Sequence, residues 1–592
     1  MKIRFQQPGI IHKMVCGIRN VFILGGVVLF WVGGTLSVFA AVPREETPGA
    51  AERAFEESKQ EKKKELDQSL QERIEKAVVE TKDVAAQPQP EVEVAEAQSF
   101  FIREIKITGN TVIPTEQLKV IAATYENKTI TLQDLTELTN RLTLLYKQQG
   151  YVTSRAYVPA QRLENEILEI KILEGKLGDI DVEGNRYFKE AQIRKQLEMK
   201  QGEVVNINQL EKDLNQLNSH PDRKTKAVLL PGDRPETVDF KVNVKDRFPL
   251  HANFSMNNAG TEATGVMRFE PRLTHTNLLG FDDTLNLRYQ MGKHIGIIGA
   301  DYRLPVGRKT TVGMNFNNVD LKLGDRFAAL DIKGRARTFG ISAQHLFYDG
   351  PRWDFALEGG FDYKNIKNES LNITLGEDKL RVLRLAPMLR EQDEHGRTIL
   401  SNSFQFGIPE ILDGSESVDP IASRTGGGGE FFKYGISFAR VQLFPSKASA
   451  VFRFNSQYTP DKVVAAEQFR LGGAQSIRGY EEGEFLGDSG YVMGIELRTS
   501  VIPLNSLGRR GFFEDTQGPQ LQFLTFLEGG RATFKEPGAG QKGNETLVGT
   551  GLGMRLNLFK HFALRTDWGV PLQETAKSNS SGEFYFGLDT DF

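Results

Sequence analysis

Two short stretches in the C-terminal half carry side chains suited to one specific interaction. Ser476-Ile-Arg-Gly-Tyr480 closes the run LGGAQSIRGY at residues 471–480, and Phe526-Leu-Glu-Gly-Gly530 follows downstream. Arg478 offers a planar fork of N–H donors that matches a carboxylate, and Glu528 supplies one. Gly479 permits a tight turn at a loop tip, and Tyr480 can pack on a wall. This is reversible ion pairing, not bond making. In contact with water such a pair contributes about 0–1 kcal/mol, and screened from water it contributes more. A charged turn and an unrelated acid would look the same in isolation, so the elements around them decide.

Nothing else in the chain has a spacing that makes or breaks bonds. The eight histidines include no pair at i, i+4, and the chain has no His-Glu-x-x-His, Gly-x-Ser-x-Gly or Gly-x-x-x-x-Gly-Lys-[Ser/Thr]. Asp393-Glu394-His395 has metal-ligand types but reads as a solvated turn. Gly426–Gly429 reads as a mobile loop, not a phosphate cradle. The single cysteine, Cys16, lies near the N-terminus, so no disulfide framework or cysteine metal site is available. No catalytic residue, metal or cofactor is expected, and the chain does not read as an enzyme.

Composition narrows the class. The 592 residues exceed one domain. Charged residues make up 26% and mean hydropathy is −0.37, which excludes a bundle of apolar transmembrane helices. Net charge is −3, and four of the cations, Lys2, Arg4, Lys13 and Arg19, sit in an N-terminal stretch without acids. The remainder is more acidic still, which argues against a nucleic-acid partner. Fifty-eight glycines and 39 phenylalanines beside three tryptophans suit many turns and lipid-facing strands.

The elements that must position Arg478 and Glu528 follow from periodicity. From residue 248 to 592, alternation with period 2 replaces helical spacing. Val548, Thr550, Leu552, Met554, Leu556 and Leu558 share one face; Gly549, Gly551, Gly553, Arg555 and Asn557 share the other. Phe562, Leu564, Thr566, Trp568 and Val570 oppose Arg565 and Asp567, and Leu285, Leu287, Tyr289 and Met291 oppose Asn286, Arg288 and Gln290. Runs of about ten residues with one apolar and one polar face describe a membrane-spanning β-barrel, which must close because lipid offers no hydrogen bonds. Sixteen such runs can be counted. A soluble β-sandwich also alternates, but inward arginines would then lie in its core. Parity along Leu521, Phe523, Thr525 and Leu527 places these on the apolar face, so Gln522, Phe526 and Glu528 point into the lumen. The Arg478 run lies in one long loop, residues 460–489, between runs 11 and 12, and Glu528 lies on run 13.

Upstream the chain repeats itself at an offset of 75. Ile105-Lys-Ile-Thr-Gly-Asn110 matches Ile180-Asp-Val-Glu-Gly-Asn185. Each copy reads strand, short helix, longer helix, strand, strand, a two-layer α+β unit. The longer helices start at Thr131, capping with Asp134, and at Asn206, capping with Gln209. Their apolar faces are Leu135, Leu138, Leu142 and Leu145, then Leu210, Leu214 and Leu217. The units span residues 100–174 and 175–247. Ahead of them, residues 1–40 read as a secretory signal: a basic start, an apolar run at 21–39, and cleavage near Ala40. An uncleaved anchor is the alternative, since the run is long enough to span. Residues 41–99 hold a charged helix with a thin stripe of Leu66, Leu70 and Ile74, followed by a linker containing Pro88 and Pro90. About 20 helical residues would reach about 30 Å, enough to lie inside a pore; a solvated spacer or short coiled coil fits equally.

On these residues the chain resembles the two-partner secretion transporters of bacterial outer membranes, the haemolysin secretion/activation type. Ile477, Arg478, Gly479 and Tyr480 are similar to the [Val/Ile]-Arg-Gly-Tyr loop tip of the wider translocase and insertase superfamily. Phe526, Glu528 and Gly530 are similar to its Phe-x-Asp-x-Gly wall motif, with Glu one methylene longer than Asp. The two repeats resemble POTRA domains, and the alternation of Phe584, Phe586, Leu588, Thr590 and Phe592 resembles the terminal signature of outer-membrane barrels. The resemblance covers residues 100–592. It implies α+β periplasmic POTRA repeats followed by a 16-stranded antiparallel transmembrane β-barrel in the outer membrane. It implies export of a large secreted β-rich exoprotein, of haemolysin or adhesin type, caught unfolded by POTRA domains at residues not identifiable from sequence. A plug helix is implied by position, outer-membrane lipid is an expected partner, and a monomer is expected. Two rivals share parts of this pattern: an insertase that assembles other barrels, which usually carries more POTRA repeats, and a passive porin, which needs no periplasmic receptor.

Overall fold

The computed structural model describes residues 99–504, 519–538, 540–558, 561–575, 578 and 581–592. The signal read at 1–40 and the helix and linker read at 41–98 lie outside the described residues.

The first α+β unit is built on a parallel pair, Glu104–Thr108 with Ile167–Leu173, flanked by the short antiparallel strand Arg155–Tyr157. Helices Thr115–Ala122 and Leu132–Gln148 cover one face. The longer helix buries Leu135, Leu138, Leu142 and Tyr146 against Ile105 and Ile170. Its start is the expected capping box: Thr131 accepts from Asp134 N while the Asp134 carboxylate accepts from Thr131 N. One pairing was not legible in the alternation, that of Ser99–Ile102 with Lys128–Thr131.

The second unit repeats the plan. Lys176–Glu183 runs parallel to Thr237–Asp246, which pairs antiparallel with Arg223–Pro231; the helices are Glu190–Gln196 and Ile207–Asn218. Here the cap differs from expectation. Asn206 accepts from Asn208 N at 3.0 Å, while the Gln209 amide is taken by Glu198 and Asp213. The repeat has a physical origin in both units. Gly109 and Gly184 each have φ +85°, and a Cβ on either would collide with a carbonyl of the last strand, Ile172 or Val244. The following turn is tied to a carboxylate that ends the unit. Glu174 accepts from Thr111 N and Val112 N, and Asp246 from Arg186 N and Tyr187 N.

From Leu250 onward, sixteen antiparallel strands among the described residues close into a barrel. The twelfth comes in two pieces, Ser489–Arg498 and Ile502–Pro503, both paired with Gln520–Thr533. The first strand, Leu250–Asn257, closes on the last, Glu583–Asp591, through a seam from Gly587↔Asn257 to Asp591↔Asn253; the Ala252 and Phe592 backbones extend it. Alternation holds as expected. Leu287, Tyr289, Phe316, Phe339, Phe523 and Trp568 are exposed on the outside, and their neighbours in sequence face the lumen. A closed ladder with an apolar outer belt satisfies every strand edge in lipid.

The second unit is joined to the barrel by polar contacts, with Arg223 buried at their centre. The Arg223 fork donates to both oxygens of Asp282 at 2.8 and 2.7 Å, and further to Leu217 O and Gln196. Asp282 belongs to the turn that links strands Arg268–His275 and Thr284–Gly292. Lys189 donates to Leu279 O, and Arg308 in the next turn on that rim reaches the fully buried Asp213 at 2.9 Å. These turns all lie at one end of the barrel, so that end faces the α+β units.

Candidate functional site in the barrel lumen

Residues 460–489 leave the eleventh strand, Ser449–Tyr458, at the opposite end of the barrel and return on the twelfth. Between them the chain folds back into the lumen. Its tip rests on the wall made by the last five strands. Ile477 and Tyr480 are fully buried with Leu471, Val492, Ala532 and Leu547.

At the tip, Arg478 is 3% exposed and so is Glu528. Arg478 donates Nε to Glu528 Oε1 at 3.0 Å and Nη2 to the same oxygen at 2.6 Å, and its backbone N reaches Oε2 at 2.8 Å. The guanidinium lies 3.4 Å from the Phe526 ring centroid, a stacked cation–π contact. The structure thus brings together the motif residues read from sequence. Gly479, with φ +102°, turns the tip, and Gly530 lets the wall approach Leu471 and Val492. Tyr480 Oη bonds the carbonyls of Val548 and Gln573, each at 2.9 Å.

The site holds more charge than one pair. Arg478 Nη2 also donates to Glu496 at 3.0 Å, and Nη1 lies 3.4 Å from Asp567. Each acid has a second arginine: Arg453 donates to Glu528 at 3.0 Å, Arg498 to Glu496 at 2.7 Å, and Arg555 to Asp567 at 2.8 Å. Four guanidinium groups therefore share three carboxylates. Asp567 and Arg555 were legible as lumenal by parity, but nothing local joined them to Arg478. Glu496, Arg453 and Arg498 were missed, although the same parity argument applied to their strands would have placed them inward.

Two further features were missed. Tyr585, on the last strand, accepts from Gly479 N at 3.0 Å and donates to Tyr480 O at 2.7 Å. The floor under the tip is glycine: a Cβ at Gly549 would collide with Arg478 O, and one at Gly569 would sit 2.7 Å from the Arg478 carbonyl carbon. The glycines seen in alternation on the lumenal face thus include the surface on which the tip lies.

The other two sequence candidates resolve plainly. Asp393-Glu394-His395 is the turn between Ile373–Asp393 and Gly396–Gly407, with the Asp393 carboxylate held by Arg440 at 2.7 Å. The Gly426–Gly429 run is not a loose loop. Gly427, Gly428 and Gly429 are buried, Gly429 N bonds Glu416 O, and a Cβ at Gly428 would strike Ser417 O. Close backbone packing, not mobility, accounts for the glycines there.

Comparison with known proteins agrees with this architecture. The model of the haemolysin secretion/activation protein ShlB/FhaC/HecB matches residues 237–556. A ShlB-type POTRA domain matches 100–175, and a surface antigen variable number repeat, also of POTRA type, matches 176–245. The outer membrane transporter CdiB of Dickeya dadantii is 23% identical over 83% of this chain and 87% of its own length. The heme/hemopexin transporter protein HuxB of Haemophilus influenzae is 20% identical over the same shares. The solved structure of CdiB from Escherichia coli superimposes with a TM-score of 0.63, at 21% identity, over 90% of this chain and 97% of that one, which fixes the fold. Because the first of these family models spans more than half of the sequence, the chain belongs to the haemolysin secretion/activation protein family ShlB/FhaC/HecB.

Proposed function

We propose that this outer-membrane transporter secretes one large, β-rich exoprotein of haemolysin or adhesin type, and that the Arg478 tip is the latch of its pore. The protein is a two-partner secretion translocator with a barrel in the outer membrane and POTRA domains in the periplasm. The observation that carries the latch is the burial of a charged loop tip inside a closed barrel that stands on two POTRA units.

The client reaches the POTRA units unfolded and adds as a strand to an exposed sheet edge, where main-chain bonds give affinity and side-chain pockets give selectivity. The short edge strand Arg155–Tyr157 and the longer Arg223–Pro231 are such edges. Client docking then shifts the loop, and Arg478 exchanges its carboxylates for others in the lumen. Folding of the client outside draws the chain through, without nucleotide. In this reading the protein does no bond-making chemistry, works as a monomer, and meets lipid with its apolar belt.

The test compares culture medium and outer membrane with and without the gene by quantitative proteomics. Loss of one or a few large proteins from the medium, with an unchanged outer-membrane profile, supports a dedicated transporter. Broad depletion of barrels from the membrane would make it an assembly factor instead. For the latch, Arg478→Ala and Glu528→Ala are followed for export; full export by both, with normal insertion, would refute it.

A further inference from the structure

The long loop touches the barrel at a second charged site, on a different wall from the tip. Glu467, eleven residues before Arg478, is 1% exposed in its side chain. Lys364 donates to its Oε1 at 2.7 Å, and Lys433 is paired with its Oε2 and is itself 1% exposed. Lys433 Nζ also reaches the Glu467 carbonyl at 3.2 Å, and Gln457 Nε2 donates to that carbonyl at 2.8 Å. Lys364 comes from Trp353–Ser370 and Lys433 from Phe431–Leu443, the seventh and tenth strands. The apolar surroundings belong to the same wall: Val463 and Val464 are fully buried with Leu380, Val382 and Phe431.

A clasp lies just above. Arg424, in the chain between strands Gly396–Gly407 and Phe431–Leu443, is paired with the fully buried Asp488 and donates to Val463 O at 3.0 Å. Asp488 is where the loop rejoins the wall. The first and last residues of the loop are therefore held together beside the Glu467 site, apart from the cluster around Ile477 and Tyr480.

The chemistry of the two sites differs. At the tip, each acid that Arg478 meets has another arginine at hand, so departure of Arg478 strands no carboxylate. At the root, Glu467 is one buried carboxylate between two lysines, and its withdrawal would leave the buried Lys433 ammonium without its counter-charge and beside the half-buried Lys364, a costly arrangement. We propose that Glu467, with Lys364 and Lys433, is a positioning residue that pins the root of the loop to the seventh and tenth strands while the Arg478 tip exchanges partners. The loop then pivots within the lumen and does not leave it as a whole. This rests on the latch reading for its purpose, but not for its test.

The full-length protein is tested in cells, in a background without other cysteines in the mature chain. A thiol is introduced at the root by Val464→Cys or at the tip by Ile477→Cys, and reaction with a membrane-impermeant maleimide is timed. Insertion is checked by heat-modifiable migration. In the parent both thiols are protected. Arg478→Ala is expected to speed labelling at position 477 at least tenfold and to leave position 464 protected. Glu467→Gln is expected to expose position 464 at least tenfold, with Glu467→Asp restoring protection and the pair Glu467→Lys with Lys433→Glu restoring it in part. Should Glu467→Gln fail to insert, Lys433→Gln, which keeps the Lys364 pair, takes its place. The proposal is overturned if inserted Glu467→Gln or Lys433→Gln leaves position 464 as protected as in the parent, or if Arg478→Ala exposes both positions together. Failure of the latch would show differently, as full export by Arg478→Ala and Glu528→Ala whatever the labelling.

Discussion

Two buried arginines, Arg478 in the lumen and Arg223 at the joint, use the same fork on a carboxylate and serve opposite ends. Arg223 has one acid, Asp282, and fills its other donors with Leu217 O and Gln196. Arg478 has three acids, each with a second arginine. The first set is closed: Asp282 also accepts from the Gln196 amide at 2.6 Å, a neutral donor that cannot replace the Arg223 charge. The second set is shared, and the ions can regroup. Burial alone does not tell a closed ion pair from a shared one, whereas counting the partners of the partners does.

The joint should therefore break hardest. Arg223→Ala is expected to destabilise the junction of the second POTRA unit with the barrel by about 3 kcal/mol, the low end of the cost of breaking a buried pair, because Asp282 keeps its bond from the Gln196 amide. Limited proteolysis of the full-length protein, with cleavage rising between residues 223 and 282, reads it. Unchanged resistance would mean that the joint is not closed.

The lumenal site should break asymmetrically. Glu528→Ala leaves four arginines for two carboxylates, whereas Arg478→Ala leaves three for three. Glu528→Ala is expected to destabilise the barrel more than Arg478→Ala does, by a margin on the order of 1–3 kcal/mol, read as a lower midpoint temperature of heat-modifiability. Equal midpoints would refute the sharing of charge. Gly549→Ala sharpens the point sterically: it should release the tip as Arg478→Ala does, without touching a charge, because its Cβ occupies the place of Arg478 O.

The smallest expected effect is in the first POTRA unit. Burial would raise the Glu174 pKa, but the bonds from Thr111, Val112 and Tyr146 outweigh it and hold it below the ordinary carboxylate value. A depressed carboxylate stabilises the fold above its unfolded value of about 4.3, and that contribution is lost as pH falls through the lower folded value. Resistance of this region to thermal unfolding is expected to weaken on acidification below about pH 4, and Glu174→Gln to flatten that dependence at a cost of roughly 0.5–1 kcal/mol near neutrality. A pH profile identical in Glu174→Gln would assign the acid sensitivity elsewhere.

Much of this was legible because period 2 is enforced by lipid on one side and water on the other. The number of strands, the inward face of Glu528 and the lumenal placement of Arg555 and Asp567 follow from it. The repeated Gly-Asn turn showed the two α+β units for a similar local reason: only glycine fits against the last strand. What stayed hidden was long-range. Glu467 sits in a stretch with no period, and Arg223 meets Asp282 across a domain boundary. The glycines at 427–429 looked loose because composition does not distinguish a flexible turn from tight backbone packing.

The seam between the first and last strands has a consequence for the order of events during assembly. Asn253 and Asp591 are bonded across 338 residues of sequence. Chain entropy grows only slowly with such a separation, by about 0.6 kcal/mol per doubling, so distance does little to the final stability. It acts on time instead, since contacts this remote form late. Until they form, Leu250–Asn257 carries a row of unpaired main-chain groups along one edge. The newly made protein is therefore most vulnerable to mispairing with other strands in the interval before its own C-terminal strand arrives.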